Sequence, residues 1–234
     1  MVTLIACSHG TRSLAGRAAI GALVDQVRAL LPAVEVAEAF VDVQDPRVEE
    51  VVDRTVAGSD GPVVVVPLLL STGFHTRVDI ARAVSRHPGR AVAAPALGPN
   101  DLLALVLESR LAALDPGADD ALILAAAGST DPAAAADVAA MAARLSECLR
   151  MPVSAAYAAG ADPRISAAVS AARAAGAARV IVASYVLAPG YFADEIAACG
   201  ADAVTAPLAP DLRIAGVVVE RFTAAAGLLS AASG

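Results

Sequence analysis

Three polar residues of this largely apolar chain have types and positions suited to joint chemistry. His9 follows the run Leu4-Ile5-Ala6-Cys7, Asp42 follows Val36-Ala37-Glu38-Ala39-Phe40-Val41, and His75 lies beyond Val63 to Leu70, just past Gly73. The three are evenly spaced along the chain. Two neutral imidazoles and one carboxylate suit a borderline divalent ion such as Fe2+, Co2+ or Ni2+. Three protein ligands leave coordination positions open, as a transfer or catalytic site needs and a structural site does not. An imidazole with an ordinary pKa of about 6.5 is equally able to accept a proton near neutral pH. Asp42 alone is an unremarkable strand-closing carboxylate, and its interest comes from the histidines. The third histidine, His87, sits in the surface-turn composition Ser85-Arg86-His87-Pro88-Gly89 and is assigned no role.

Strand-like and helix-like patterns alternate to position these groups. Val2 to Cys7 reads as a strand, Ser13 to Leu31 as a helix stopped by Pro32, and Val34 to Phe40 as a second strand. Asp45-Pro46 reads as an N-cap followed by proline at the first helical position, opening a helix to about Ala57. Val63 to Pro67 and Ala91 to Ala94 are further strands, and a helix runs from about Asn100 to Leu114. Strands apolar on both faces and separated by helices predict an α/β fold with a mostly parallel sheet covered on both sides. His9, Asp42 and His75 all fall at or after carboxyl ends of strands, where open parallel sheets bind ligands.

After Leu114-Asp115-Pro116-Gly117-Ala118-Asp119-Asp120, the best linker candidate, the pattern restarts. Ala121 to Thr130 echoes Leu4 to Arg12, while Asp162-Pro163-Arg164-Ile165 echoes Asp45-Pro46-Arg47-Val48. Gly190-Tyr191-Phe192 echoes Gly73-Phe74-His75 at the same offset as that second pair. The expected organisation is two similar lobes, 1–115 and 120–234, each a parallel sheet flanked by helices, with an active cleft between them. The copies differ where chemistry matters: Ala127 stands in place of His9 and Phe192 in place of His75. The first lobe is therefore expected to carry the metal site and the second to be a degenerate repeat.

Composition removes several function classes. Hydrophobic residues make up 57% and mean hydropathy is +0.64. The longest apolar runs nonetheless stop short of the roughly 20 residues that a membrane-spanning helix needs. Leu4-Ile5-Ala6-Cys7 resembles a lipoprotein cleavage box but lacks the basic region and the long apolar run of a signal peptide, so a cytoplasmic protein without membrane association is expected. Three cysteines with no C-x-x-C argue against a disulfide framework, a structural zinc site or an iron–sulfur cluster. A net charge of −7 argues against a nucleic-acid partner. All 17 basic residues are arginine, so an anionic ligand must be met by particular arginines or by helix N-termini.

His9-Gly10-Thr11-Arg12, then Phe40-Val41-Asp42 with Asp45-Pro46, then Pro67-Leu68-Leu69-Leu70 through Gly73-Phe74-His75 to Asp79-Ile80, resembles the sirohydrochlorin chelatases. These class II enzymes insert cobalt or iron into sirohydrochlorin, and their longer members are duplicated with a degenerate second half. The resemblance covers the whole chain and implies a lyase of siroheme or cobalamin biosynthesis with chelatase-like, flavodoxin-like βα repeats. It implies no permanently bound cofactor, a divalent metal substrate (Fe2+ or Co2+, with Ni2+ also compatible) and sirohydrochlorin as anionic partner. In that reading His9 and His75 hold or pass the metal with a carboxylate assisting, and one imidazole takes pyrrole protons. Arg12 and Arg77, beside the two histidines in sequence, meet the carboxylates, a role they share equally with solvated surface positions, and Gly10, Thr11, Ser71, Thr72 and Gly73 line the ring's approach. The chain departs from the family pattern at Asp42, where glutamate is usual; the shorter side chain bears on metal choice and rate. The duplication suggests a monomer containing its own pseudo-dimer, or at most a weak oligomer.

Three other readings compete. A phosphatase with a histidine nucleophile also places His-Gly after its first strand, but needs arginine immediately before the histidine, where this chain has Ser8. A tetrapyrrole or metal carrier derived from a chelatase is favoured by the Asp42 change and disfavoured by retention of both histidines. An iron oxygenase with two histidines and a carboxylate belongs on a β-rich scaffold.

Overall fold

A strand with no exposed residue must be covered on both faces, and this requirement organises the molecule. The computed structural model describes residues 2–73 and 75–232, the side chains of 75–77 and 230–232 excepted. Strands β1 (Thr3–Ser8) and β3 (Val63–Pro67) are buried along their whole length and lie side by side. β2 (Glu35–Phe40) and β4 (Ala91–Ala93) are more exposed and flank them, giving a parallel sheet of order β2-β1-β3-β4. Among the described residues the second sheet repeats this order as β6-β5-β7-β8, built from β5 (Ala121–Ala126), β6 (Val153–Tyr157), β7 (Val180–Tyr185) and the short β8 (Ala203–Val204).

Helices supply the cover. In the first sheet the alternation of side chains sends Ile5, Cys7, Val63 and Val65 to one face, where they pack with Val48, Val51 and Val52 of α2 (Val48–Gly58) and Ala83 of α3 (Ala81–Ser85). α1 (Leu14–Leu30) starts at an N-cap, where the Ser13 hydroxyl accepts from the Gly16 N–H at 3.1 Å. It ends at Leu31, before Pro32, as the sequence predicts. In the second unit Ile123, Ala125, Val180 and Val182 pack with Ile165 and Val169 of α6 (Ile165–Ala174) and Ile196 of α7 (Tyr191–Ala197). α5 (Pro132–Leu149) opens on the Asp131 carboxylate, with proline in its first turn.

The Asp45-Pro46 expectation needs correcting. Arg47, not Asp45, is the N-cap residue of α2, and Pro46 lies outside the helix. The reason is a competing hydrogen bond. The Phe40 N–H donates to the Pro46 carbonyl at 3.0 Å, so the dipeptide, joined by a cis bond, prolongs the pairing of β2 instead of starting a helix. Asp162-Pro163 does the same for Tyr157, also at 3.0 Å.

The compact units do not coincide with the contiguous lobes expected from the repeat. One unit comprises Met1–Leu97 with Pro210–Gly234, and the other Gly98–Ala209. Each repeat thus gives its last helix to the other repeat's sheet. α4 (Asp101–Ala112) packs on α5 and β7, and α8 (Leu212–Ala232) packs on α1, β3 and β4. Two arginines fix the exchange. Arg110 of α4 donates to the carbonyls of Ala206 at 2.7 Å, Leu208 at 2.6 Å and also Pro207. Arg221 of α8 donates to those of Ala96 and Leu97, each at 3.0 Å. A planar guanidinium matches such neighbouring carbonyls and satisfies the loop that follows an edge strand.

Among the described residues no helix is long and apolar enough to cross a membrane. All three cysteines are free, with Cys7 and Cys199 buried and Cys148 exposed, in keeping with the expected lack of a disulfide framework. Burial pushes the Cys7 thiol well above its ordinary pKa, so it stays protonated and serves as a core residue.

Candidate functional site

In the first unit the chain leaves β1 for β2 on one side, while β3 leads to β4 on the other. Loops after β1 and β3 therefore diverge, and such a switch point, beyond the carboxyl ends of the strands, is where open parallel sheets bind ligands. His9 is the first residue after β1 and is half-buried. Asp42 is the second residue after β2, with its side chain 54% exposed. The backbone brings these two together: the Val41 N–H donates to the Ser8 carbonyl at 3.0 Å, and the Asp42 N–H to the His9 carbonyl at 3.1 Å.

Gly10 makes that approach possible. Its φ of +88° lies in the left-handed region, and a Cβ there would sit 2.7 Å from the Asp42 carbonyl oxygen. Thr11 then orders the turn. Its hydroxyl accepts from the Ser13 N–H at 3.1 Å and its carbonyl accepts from Arg17 Nε at 2.9 Å. Arg12 is exposed at the mouth of this turn.

The Asp42 carboxyl is held below the usual carboxylate range, first by a hydrogen bond from the Val43 N–H and further by the nearby charges of His9 and Arg47. Arg47 Nη1 lies 3.6 Å from the Asp42 carboxylate and donates to the Val41 carbonyl at 2.8 Å. Asp42 is thus kept ionised beside His9. A carboxylate held ionised by its neighbours next to an imidazole-bearing turn is the arrangement the backbone supplies here.

Ser71, Thr72 and Gly73 form the half-buried loop after β3. The chain entering this loop is tied down by the Leu68 N–H, which donates to the Cys7 carbonyl at 2.7 Å, and by the Leu97 N–H, which donates to Leu69 at 2.8 Å. His75 begins a π-helical turn, His75–Ile80, that runs directly into α3. The side chains of His75 and Arg77 lie outside the described residues. Among those described, no three His, Cys, Asp or Glu side chains gather closely enough to hold a metal ion. His87, the remaining histidine, bonds through Nε2 to Asp53 Oδ1 at 2.7 Å, in a surface cluster completed by Arg86.

The second unit shows what the same turns become without the polar residues. The Ala159 N–H donates to the Ala127 carbonyl at 2.8 Å, matching the Asp42–His9 bond. Gly128, φ +89°, presses on the Ala159 carbonyl even more closely than Gly10 does on Asp42. Ala127 and Phe192, which replace the two histidines, pack against the apolar core. The Phe192 ring meets Tyr191 edge-on, with centroids 5.3 Å apart.

Two residues near His9 are missed by sequence reasoning. Arg47 has a counterpart in Arg164, which likewise donates to the carbonyl just past its strand, that of Ala158. Its shared duty is structural, and pairing with Asp42 is added only in the first repeat. Gln44 has no such counterpart, since Ala161 takes its place. Its Oε1 accepts from the Thr11 N–H at 2.8 Å. A comparison of the repeats position by position is the signal that exposes it.

The CbiX family profile matches residues 3–114 and again 121–225. A sirohydrochlorin cobaltochelatase of Methanopyrus kandleri is 27% identical over 88 residues, which cover 38% of this chain and 62% of that relative, so the match spans less than two thirds of its length. Among solved structures, SirB from Bacillus subtilis with Fe3+ superposes with a TM-score of 0.81 at 19% identity, covering 95% of this chain and 94% of the other. The sirohydrochlorin chelatase SirB from Bacillus subtilis subspecies spizizenii in complex with cobalt gives 0.78 at 20% identity, covering 97% and 95%. At these identities the structural likeness concerns the fold: two parallel sheets flanked by helices.

Proposed function

This chain belongs to the CbiX family, and from that premise we propose that it is a sirohydrochlorin chelatase, inserting Fe2+ or Co2+ into the tetrapyrrole for siroheme or cobalamin biosynthesis. The observation that carries the reading is that the family match spans both repeats, while the adjoining imidazole and carboxylate of His9 and Asp42 stand in only one of them. The relatives named above are a cobaltochelatase and proteins bound to iron or cobalt, which supports a divalent metal as substrate.

Insertion replaces two pyrrole N–H protons by one divalent ion, so the protein must hold the ion loosely and accept protons. In this proposal His9 and His75 hand the metal to the ring, with Asp42, kept ionised by its surroundings, offsetting part of its charge. One of the two imidazoles takes the departing protons. Arg12 and Arg77 engage the macrocycle's carboxylates, and Gly10, Thr11, Ser71, Thr72 and Gly73 let the ring approach the carboxyl ends of β1 and β3. The reaction needs no permanently bound cofactor. We place it in the cytoplasm, carried out by a monomer or weak oligomer without nucleic acid or membrane.

The test is an anaerobic absorbance assay of sirohydrochlorin with Co2+ or Fe2+, comparing wild type with His9→Ala and His75→Ala. Wild type is expected to accelerate insertion over many turnovers, and each variant to lose about 100-fold or more. Saturation at one equivalent without turnover would instead identify a carrier.

A further inference from the structure

We infer that Gln44 is a positioning residue for the His9 metal site, a role that rests on the reading of His9 given above. Gln44 joins the loop after β2 to the loop after β1. Its side-chain Oε1 takes the Thr11 N–H at 2.8 Å, two residues beyond His9. Backbone bonds from Val41 to Ser8 and from Asp42 to His9 hold the near side of the same turn, so Gln44 closes its far side. With Gly10 pressed against Asp42 between these ties, the turn has little freedom to rotate His9 or Arg12.

Two further observations separate this bond from incidental surface contact. The second repeat keeps the Ala158 and Ala159 backbone bonds and the glycine approach, but has Ala161 where Gln44 stands, and there no imidazole needs holding. The side-chain tie is therefore unnecessary for the turn itself and is found where His9 is. The turn's left-handed position is shared by both repeats, at Val43 and at Gly160 with φ +67°, but only the first repeat places a side chain there. Val43 has φ +52°, a left-handed conformation that a β-branched residue rarely adopts. Such local strain persists where surrounding contacts over-determine it, and the Gln44–Thr11 and Asp42–Arg47 pairs flank Val43 on either side. Groups that orient a metal ligand without touching the metal commonly change affinity by about 10–100-fold.

The test uses the full chain and Co2+ alone, titrated anaerobically and followed by ligand-field absorption, with amide hydrogen exchange at Thr11 measured in parallel. Wild type, His9→Ala, Gln44→Ala and Gln44→Glu are compared. The glutamate keeps an acceptor oxygen at the same reach, and the alanine is the residue that already fills this place in the other repeat. Gln44→Ala is expected to bind Co2+ about 10-fold more weakly and to exchange the Thr11 amide faster, while Gln44→Glu recovers most of both. Co2+ affinity in Gln44→Ala equal to wild type, or no recovery in Gln44→Glu, overturns the positioning role while leaving His9 as a ligand. Undiminished Co2+ binding in His9→Ala removes the metal site itself, and the inference with it.

Discussion

The loops after β1 and β2 in the first repeat, and those after β5 and β6 in the second, are the same backbone device with different side chains. Both press a left-handed glycine against a carbonyl and tie the first loop to the second by two backbone hydrogen bonds. In the first repeat the device presents His9, Asp42 and Gln44. In the second those places are filled by Ala127, Ala159 and Ala161, and the turn closes more tightly. The comparison separates what the fold requires from what the chemistry requires. Glycine, backbone pairing and the arginine that caps the carbonyl at the strand's end are common to both repeats and belong to the scaffold; the imidazole, the carboxylate and the amide occur in the first repeat only, and belong to the proposed site.

The largest effect is expected where the scaffold is tightest. Gly128→Ala combines a left-handed φ with a backbone collision and should cost about 3–4 kcal/mol in urea unfolding. Gly10→Ala, with more room against Asp42, should cost about 2 kcal/mol. Equal costs would break the distinction between a tightly closed and a more open turn. Next come the arginines that fix the exchanged helices. Arg110→Ala and Arg221→Ala should each lose about 2 kcal/mol by the same measurement, because each removes the guanidinium that donates to several neighbouring loop carbonyls. A large loss in only one would show that the exchange is not symmetric.

Smaller effects are expected at the polar positions. Asp42→Asn should slow metal insertion about 10-fold yet change stability by less than about 1 kcal/mol, because its side chain is more exposed than buried. The sign of its pH dependence follows from the lowered carboxyl pKa. Its contribution is complete above the ordinary carboxylate value of about 4 and disappears as pH falls through the lower folded value. Wild type and Asp42→Asn should therefore differ in unfolding midpoint at neutral pH and converge in acid. The smallest change is Val43→Gly, which copies Gly160 and relieves a left-handed β-branched residue. It should stabilise the fold by at most about 1 kcal/mol.

The sheets were legible in the sequence because their central strands are apolar on both faces. Runs such as Val63 to Val66 admit few other readings, and the echoes between repeats revealed the duplication. The Asp45-Pro46 start of α2 was misread because a capping signature carries no information about a competing strand. The Phe40 N–H takes the Pro46 carbonyl, and the helix begins later. The exchange of α4 and α8 was invisible for a different reason: an apolar helix face fits either sheet, and local sequence does not say which one it covers. His9 and Asp42 stand out in the sequence as candidates because strand ends in parallel sheets are where ligands bind, and their adjacency in the fold follows from the β1–β2 register. Gln44 escaped notice because a single amide in a loop has no period or motif; only its loss in the second repeat sets it apart.

The central proposal is that this chain inserts metal and that the first repeat alone does so. Its most direct test is the anaerobic insertion rate of wild type, His9→Ala and the double variant His9→Ala/Ala127→His, measured side by side with excess sirohydrochlorin and Co2+. The account predicts many turnovers for wild type and the spontaneous rate for both variants, because Ala127 packs against the apolar core with no carboxylate at Ala159 beside it. A wild type no faster than the spontaneous reaction, or a double variant that regains turnover, would contradict it.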